Sequence, residues 1–112
     1  MRVNTFLDID GIKGEAQDSG QKDKIEVLAW SWGVSNAGTL HTGSGGGAGK
    51  ANFHDLSITK HVDAASADLM AACASGKHIP KAKLICYKAA GDKPLDYLLI
   101  ELEEVLVSAV ST

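Results

Sequence analysis

Hydrophobic and polar residues alternate along most of this chain, which predicts β-strands more often than helices. The alternation covers residues 4–9, where Phe6 and Asp8 oppose Leu7 and Ile9. It also covers residues 81–88, where Ala82, Leu84 and Cys86 oppose Lys83, Ile85 and Tyr87. Longer segments with the same character cover residues 24–34, 51–60 and 97–107. We therefore expect about five strands, with a break or bulge at Glu103–Glu104.

The segment 24–34 differs from the others because both of its faces are partly apolar. Such a strand belongs in a sandwich or barrel, with its second face against another chain or a lumen. One predicted face carries Ile25, Val27, Ala29 and Ser31, and the other carries Glu26, Leu28, Trp30, Trp32 and Val34. We predict that Trp30 and Trp32 pack in the core; the alternative is that they anchor an oligomer seam.

One segment, residues 66–75, has helical spacing. Ser66 is the predicted N-cap, and Gly76 followed by Pro80 predicts the end of the helix. Leu69 and Cys73 are the predicted packing anchors of an apolar stripe that also contains Met70 and Ala72. Together these elements predict one mostly-β domain over residues 1–112, with a single short helix against the strands.

A glycine-rich segment over residues 37–50 separates two predicted strands. At 14 residues it is longer than a hairpin requires, which suggests a docking role or simple disorder. It resembles a phosphate-binding loop only superficially. Ser44 stands where the first glycine is required, and Ala51 stands where a hydroxyl residue is required.

The composition limits the classes of partner that the protein is expected to bind. The 112 residues are 45% hydrophobic and 22% charged, which is typical of a globular domain. Eleven basic and 14 acidic residues give a net charge of −3, and aromatics make up 5%, so nucleic acid and anionic membrane surfaces are poor candidates. The apolar runs are too short to span a membrane, and the first residues lack the apolar core of a signal peptide.

No arrangement of reactive residues predicts catalysis, a metal site or a cofactor. Cys73 and Cys86 fit no metal or redox spacing, and the segment Asp8–Gly11 lacks the later ligands of a calcium loop. A hydrolase would need His54 or His61 beside a carboxylate and a nucleophile. We therefore predict that the protein is not an enzyme.

Several long segments resemble the Hcp family, the hemolysin-coregulated proteins that form the tube of bacterial type VI secretion systems. The resemblance lies in residues 6–18, FLDIDGIKGEAQD, and 25–33, IEVLAWSWG. It continues in residues 59–66, 72–80 and 97–108, in the same order. Only the glycine-rich segment falls outside it.

The resemblance implies two packed antiparallel sheets, a barrel-like sandwich with one flanking helix. It also implies a hexameric ring with a wide channel, stacked into a tube inside a contractile sheath and behind a spike, with small effector proteins carried or chaperoned in the lumen. The tube would be made in the bacterial cytoplasm and secreted without a cleaved signal peptide. Family members usually continue with further strands, so we expect this chain to lack strands that complete the barrel.

Two surfaces are predicted for a tube protein. Ala29 and Ser31 are small and uncharged, which suits a lumen through which effectors slide, and a bulky residue at Ser31 should weaken effector retention. The polar loop is the predicted contact between stacked rings, through Thr42, Gly43, Ser44, Gly45, Gly46 and Gly47. The competing interpretation is a monomeric β-domain that binds a ligand or partner protein in a deep apolar pocket.

Overall fold

The protein consists of antiparallel β-strands and one α-helix, which confirms the mostly-β class. The computed structural model describes residues 3–18, 20–37, 50–90 and 93–112. The elements in this part of the chain are, in order, β1 (Val3–Ile9), β2 (Ile25–Val27), β3 (Ala29–Ser31), β4 (Val34–Asn36), β5 (Ala51–Phe53), β6 (Ser57–Thr59), α1 (Ala64–Ser75), β7 (His78–Ala90) and β8 (Lys93–Leu106).

A four-stranded sheet in the order β2-β1-β7-β8 forms the main layer. Its register aligns four aliphatic residues in one row across the strands. Leu7 pairs with Ile25 on one side and with Leu84 on the other, and Leu84 pairs in turn with Ile100. Ile25 and Leu84 have no exposed surface, so this row is the centre of the core.

Helix α1 packs against this core through small residues. Ala65 and Ala72 are buried, and Leu69 packs beside them. The small side chains let the helix backbone approach the sheet closely. The helix begins two residues before the predicted start, because Asp63, and not Ser66, is the N-cap.

The helix start is a capping box. The Asp63 carboxylate accepts a hydrogen bond from the Ala65 N–H at 3.0 Å, and the Ser66 hydroxyl accepts one from the Asp63 N–H at 2.9 Å. Ser66 is therefore the third residue of the helix. From that position its hydroxyl can accept a hydrogen bond from the backbone N–H of the N-cap residue. At the other end Gly76 adopts the left-handed conformation, with φ of 67°, as the sequence predicted.

The predicted continuous strand 24–34 is divided into β2, β3 and β4. The chain bends at Leu28 and leaves the sheet of β1 to pair with β6, and the Leu28 N–H donates to the Thr59 carbonyl at 2.8 Å. As a result, Trp30 packs against the same core as Val27, and the alternation is shifted by one residue across the bend. The predicted strand 51–60 is likewise divided, into β5 and β6.

Strands β3 to β6 form a long interrupted hairpin that we call the arm. Its base is the β3–β6 ribbon, and its tip is the β4–β5 ribbon together with the adjoining residues Trp32 and His54. The His54 N–H donates to the Gly33 carbonyl at 2.9 Å and joins the two ribbons. The base covers the core with Trp30 and Ile58, whereas every residue of β4 and β5 is exposed.

The molecule is elongated, with principal extents of 56 × 41 × 24 Å. The radius of gyration is 17.4 Å, where a compact domain of this length would have about 13 Å. The second layer of the expected sandwich therefore consists of two short ribbons, of which only the base packs on the four-stranded sheet.

A smaller cluster lies on the opposite face of the sheet. Phe6 and Tyr87 stack with ring centroids 5.5 Å apart, and Ala16 packs with them. The Tyr87 hydroxyl donates to the Asp18 carboxylate at 3.2 Å, which holds the 10–24 segment over this face. Gly14 is required in that segment, because a Cβ atom there would lie 2.5 Å from the Lys24 carbonyl oxygen.

Strand β8 continues through the predicted break. Glu104 adopts a left-handed φ of 51°, yet pairing with β7 resumes at Val105 and Leu106. Strand β7 begins before Pro80, contrary to the expectation that it would begin after it. Pro80 lies beyond the last pair between β7 and β1, Ile9 with Ala82, so the missing N–H removes no bond to β1.

We predict that Leu84→Ala destabilises the fold by about 2–5 kcal/mol, because it removes a fully buried side chain from the centre of the aliphatic row. The matched control is Leu99→Ala on the neighbouring strand, where the side chain is 51% exposed and the expected loss is below about 1 kcal/mol. Urea unfolding of both variants at low protein concentration measures the difference. Equal losses would contradict this assignment of the core.

Candidate functional site

The outward side of the arm base is a continuous surface of small, uncharged residues. Ala29 pairs with Thr59, and Ser31 pairs with Ser57 across the ribbon. All four side chains are exposed, while Trp30 and Ile58 between them point to the core. We call Ala29, Ser31, Ser57 and Thr59 the small-residue face.

Sequence reasoning identified half of this face. Ala29 and Ser31 were predicted together because they alternate with tryptophans. Ser57 and Thr59 were missed as site residues, although they alternate with Ile58 in the same way. The pairing of β3 with β6 is nonlocal, and no local signal in the sequence fixes that register.

The two tryptophans occupy different surroundings. Trp30 is half-buried and packs against the main core. Trp32 lies on the arm tip, is 46% exposed, and stacks on Phe53 with ring centroids 6.3 Å apart. The strand pairing explains this difference, because the base of the arm lies over the core and the tip extends beyond it.

The helix anchors also differ in their contacts. Leu69 packs against the main core, and Cys73 is half-buried with a free thiol. Met70, on the predicted apolar stripe, is 48% exposed. The predicted stacking residues, Thr42 to Gly47, lie outside the described residues.

Polar contacts on the arm tip bear on the hydrolase alternative. The Ser35 hydroxyl lies 3.1 Å from His54 Nε2. A residue type that can act as a nucleophile is therefore in contact with one that can act as a base. Both residues are exposed, and the neighbouring Asp55 carboxylate accepts a hydrogen bond from Ser108 at 2.8 Å. In the chain as described, no carboxylate is recorded as a partner of His54, so the third member of a catalytic triad is not assembled there.

The described residues contain no group of three or more His, Cys, Asp or Glu side chains that could hold a metal ion. In the same ranges, no helix is long and apolar enough to cross a membrane. Two of the surface clefts in the described part of the chain are open to solvent. One lies between the ends of β7 and β8, beside Lys81 and Glu103, and the other lies between Asp8, Lys24 and Asp68. Neither is an enclosed cavity of the kind that buries most of a small-molecule ligand.

The chain is similar to known proteins in family, in sequence and in structure. The family described as "Type VI secretion system effector, Hcp" matches residues 6–112. Protein hcp1 of Pseudomonas aeruginosa is 54% identical over 112 residues, which cover all of this chain and 69% of the relative.

Solved structures agree with the sequence match. The crystal structure of Hcp1 from Salmonella typhimurium has a TM-score of 0.78 at 42% identity, over 95% of this chain and 67% of that one. A structure described as a type six secretion system protein has a TM-score of 0.88 at 34% identity, over 96% and 67% of the two chains. The chain therefore spans about two thirds of the length of these relatives.

The different surroundings of the tryptophans predict different effects on stability. Trp30→Ala should cost about 3 kcal/mol, because the indole covers the core. Trp32→Ala should cost about 1 kcal/mol, chiefly from the lost stacking on Phe53. Chemical unfolding of both variants at a protein concentration that keeps the chain monomeric provides the measurement. A larger loss for Trp32→Ala than for Trp30→Ala would show that the tip is structurally the more important site.

Proposed function

This chain belongs to the Hcp family of type VI secretion system proteins, and we propose that it forms a hexameric ring that stacks into the secreted inner tube. The ring carries or chaperones small effector proteins in its lumen. The contractile sheath and the spike are its partners in the secretion system. The protein is a structural component without catalytic activity, made in the bacterial cytoplasm and secreted without a cleaved signal peptide.

The small-residue face is the observation that carries the lumen assignment. Four exposed, uncharged side chains from two paired strands give a surface without charges that would bind a passing protein tightly. We therefore place Ala29 and Ser31 in the channel, together with Ser57 and Thr59. Short hydroxyl groups offer weak hydrogen bonds to many partners, which suits transient retention of different effectors.

The shape of the arm supports assembly. A two-stranded ribbon is marginally stable by itself in water, yet the tip exposes every residue of both its strands. A neighbouring subunit would supply the missing contacts. The residues Thr42 to Gly47 lie between β4 and β5 in the sequence, outside the described residues, and their contact with the next ring remains a prediction.

A monomeric binding domain is the alternative. It would need a deep apolar pocket, and the clefts beside Lys81 and Lys24 are open to solvent rather than enclosed. The exposed apolar tip also fits this alternative less well than it fits an assembling protein.

Solution mass tests the ring. We expect light scattering on a sizing column to give a species of about six times 11.7 kDa over a range of concentrations. A monomer at all concentrations would refute the ring for this chain and favour the binding-domain alternative. The measurement needs no substituted residue, so its result does not depend on any assignment of individual side chains.

Labelling tests the lumen assignment. In a Cys73→Ser background, Cys86 is buried, and Ser31→Cys supplies the accessible thiol. In the assembled ring we expect a small maleimide to react readily and a long polyethylene glycol maleimide to react several-fold more slowly, because the channel restricts bulky reagents.

The matched control is Ala71→Cys, on an exposed position of the helix. It should react with both reagents at similar rates. If Ser31→Cys shows the same ratio of rates as this control in an intact ring, Ser31 does not face the channel. Measuring both variants in the dissociated chain separates the effect of assembly from local crowding.

A further inference from the structure

A junction without strand pairing separates the two ribbons of the arm. Pairing in the base ends at Ser31 with Ser57, and pairing in the tip begins at Val34 with Phe53. Two residues lie between these pairs on one strand, and three, residues 54–56, lie between them on the other. The unequal lengths interrupt the ladder, so continuous pairing with the base does not fix the direction of the tip.

The core holds the base of the arm and does not hold the tip. Trp30 and Ile58 of the base pack on the main core, and so does Leu56 at the inner end of the junction. Every residue of β4 and β5 is exposed. Packing therefore fixes the returning strand from Leu56 onward and leaves the direction of the tip to contacts at the junction.

Two side-chain contacts make the tip one unit. Trp32 stacks on Phe53 with ring centroids 6.3 Å apart, and the Ser35 hydroxyl lies 3.1 Å from His54 Nε2. Each contact joins a residue of the junction to a strand of the tip. Trp32 and His54 therefore belong with β4 and β5, and the boundary between tip and base falls at Asp55 on the returning strand.

Asp55, at this boundary, bonds to a part of the chain outside the arm. Its carboxylate accepts a hydrogen bond from the Ser108 hydroxyl at 2.8 Å, across 53 positions of sequence. Ser108 directly follows Val107, which packs on the main core just beyond the end of β8. The hydrogen bond therefore ties the boundary of the tip to the body of the protein.

The strength of this hydrogen bond suits a reversible contact. The charged acceptor strengthens it, whereas water competes for both groups because Asp55 and Ser108 are exposed. Breaking it leaves no buried polar group without a partner, so the chain can lose the contact without unfolding. A bond of this kind biases the direction of the tip without locking it.

We propose that the Ser108–Asp55 hydrogen bond is a latch that holds the tip in one direction, and that the tip turns about Asp55 as a unit when the latch opens. The arm then contains a conformational device that is controlled from Val107 and Ser108, the residues that follow β8. This inference concerns the single chain and does not rest on the proposed ring.

Distances between spin labels test the latch. In a Cys73→Ser background, Asn52→Cys places one label on an exposed position of the tip and Ala71→Cys places another on the helix, while Cys86 is buried. Mixing with excess unlabelled chain removes distances between copies. With Ser108 in place we expect one narrow distribution of label distances, because the latch is closed in most molecules.

Ser108→Ala removes the donor of the latch. We expect the share of distances outside the main peak to rise roughly two- to tenfold, the change that follows the loss of one hydrogen bond of ordinary net strength. Ser108→Thr keeps the hydroxyl and should keep the narrow distribution. The matched control is Ser111→Ala, which removes an exposed hydroxyl that makes no hydrogen bond with the described part of the arm. It should leave the distribution unchanged.

The acceptor gives an independent check. Asp55→Ala should broaden the distribution as Ser108→Ala does, and the two changes together should have no larger effect than either one alone, because both remove the same hydrogen bond. Fully additive effects would show that the two side chains act separately, and the latch would be refuted.

Trp32 fluorescence distinguishes turning from unfolding of the tip. In a Trp30→Phe background, Trp32 is the single tryptophan of the chain. Its emission should be the same with and without Ser108→Ala, because the stack on Phe53 moves with the tip. A shifted emission would show that the tip unfolds when the latch opens, which contradicts its turning as a unit.

The remaining outcomes are equally decisive. An unchanged distribution in Ser108→Ala overturns the proposal, and so does a change of the same size in Ser111→Ala. A broader distribution in both Ser108→Ala and Asp55→Ala, with constant Trp32 emission, supports it. These results are independent of the solution mass, so failure of the latch and failure of the ring are told apart.

Discussion

The aliphatic row from Ile25 through Leu7 and Leu84 to Ile100 is the interaction on which the remaining structure depends. It fixes the register of four strands at once, and a slip of one residue would turn every apolar side chain of a strand away from the core. The helix and the arm base then pack onto the surface that this row creates. Residues that contact neither the row nor its neighbours, such as those of the arm tip, are left exposed in the single chain.

The bend at Leu28 produces the small-residue face. Because the chain changes sheets there, the alternation is shifted by one residue, and Ala29 and Ser31 face outward where an unbroken strand would bury them beside Val27. The same bend turns Trp30 inward. One local departure from regular pairing therefore has two effects. It places Trp30 over the core, and it creates the small-residue face on the other side of the strand.

The sequence predicted features that depend on neighbouring residues better than features that depend on distant ones. Gly76 specifies the end of the helix through its own backbone preference, so that end was predicted correctly. The start was predicted at Ser66 because serine suits an N-cap, but Asp63 also suits it and pairs reciprocally with Ser66. The break at Leu28 has no signature in the alternation, and the contribution of Ser57 depends on pairing with a strand 26 residues earlier.

The arm shows why a marginal element can persist in such a fold. Its base is stabilised within the chain by Trp30 and Ile58, whereas its tip gains little more than the stacking of Trp32 on Phe53. Apolar surface that contributes little to the folding of one chain remains available to stabilise contact with another. Burying Trp32, Val34 and Phe53 within the chain would raise its stability, and the chain leaves all three about half or more exposed. The tip is therefore the part of the arm that a single chain stabilises least.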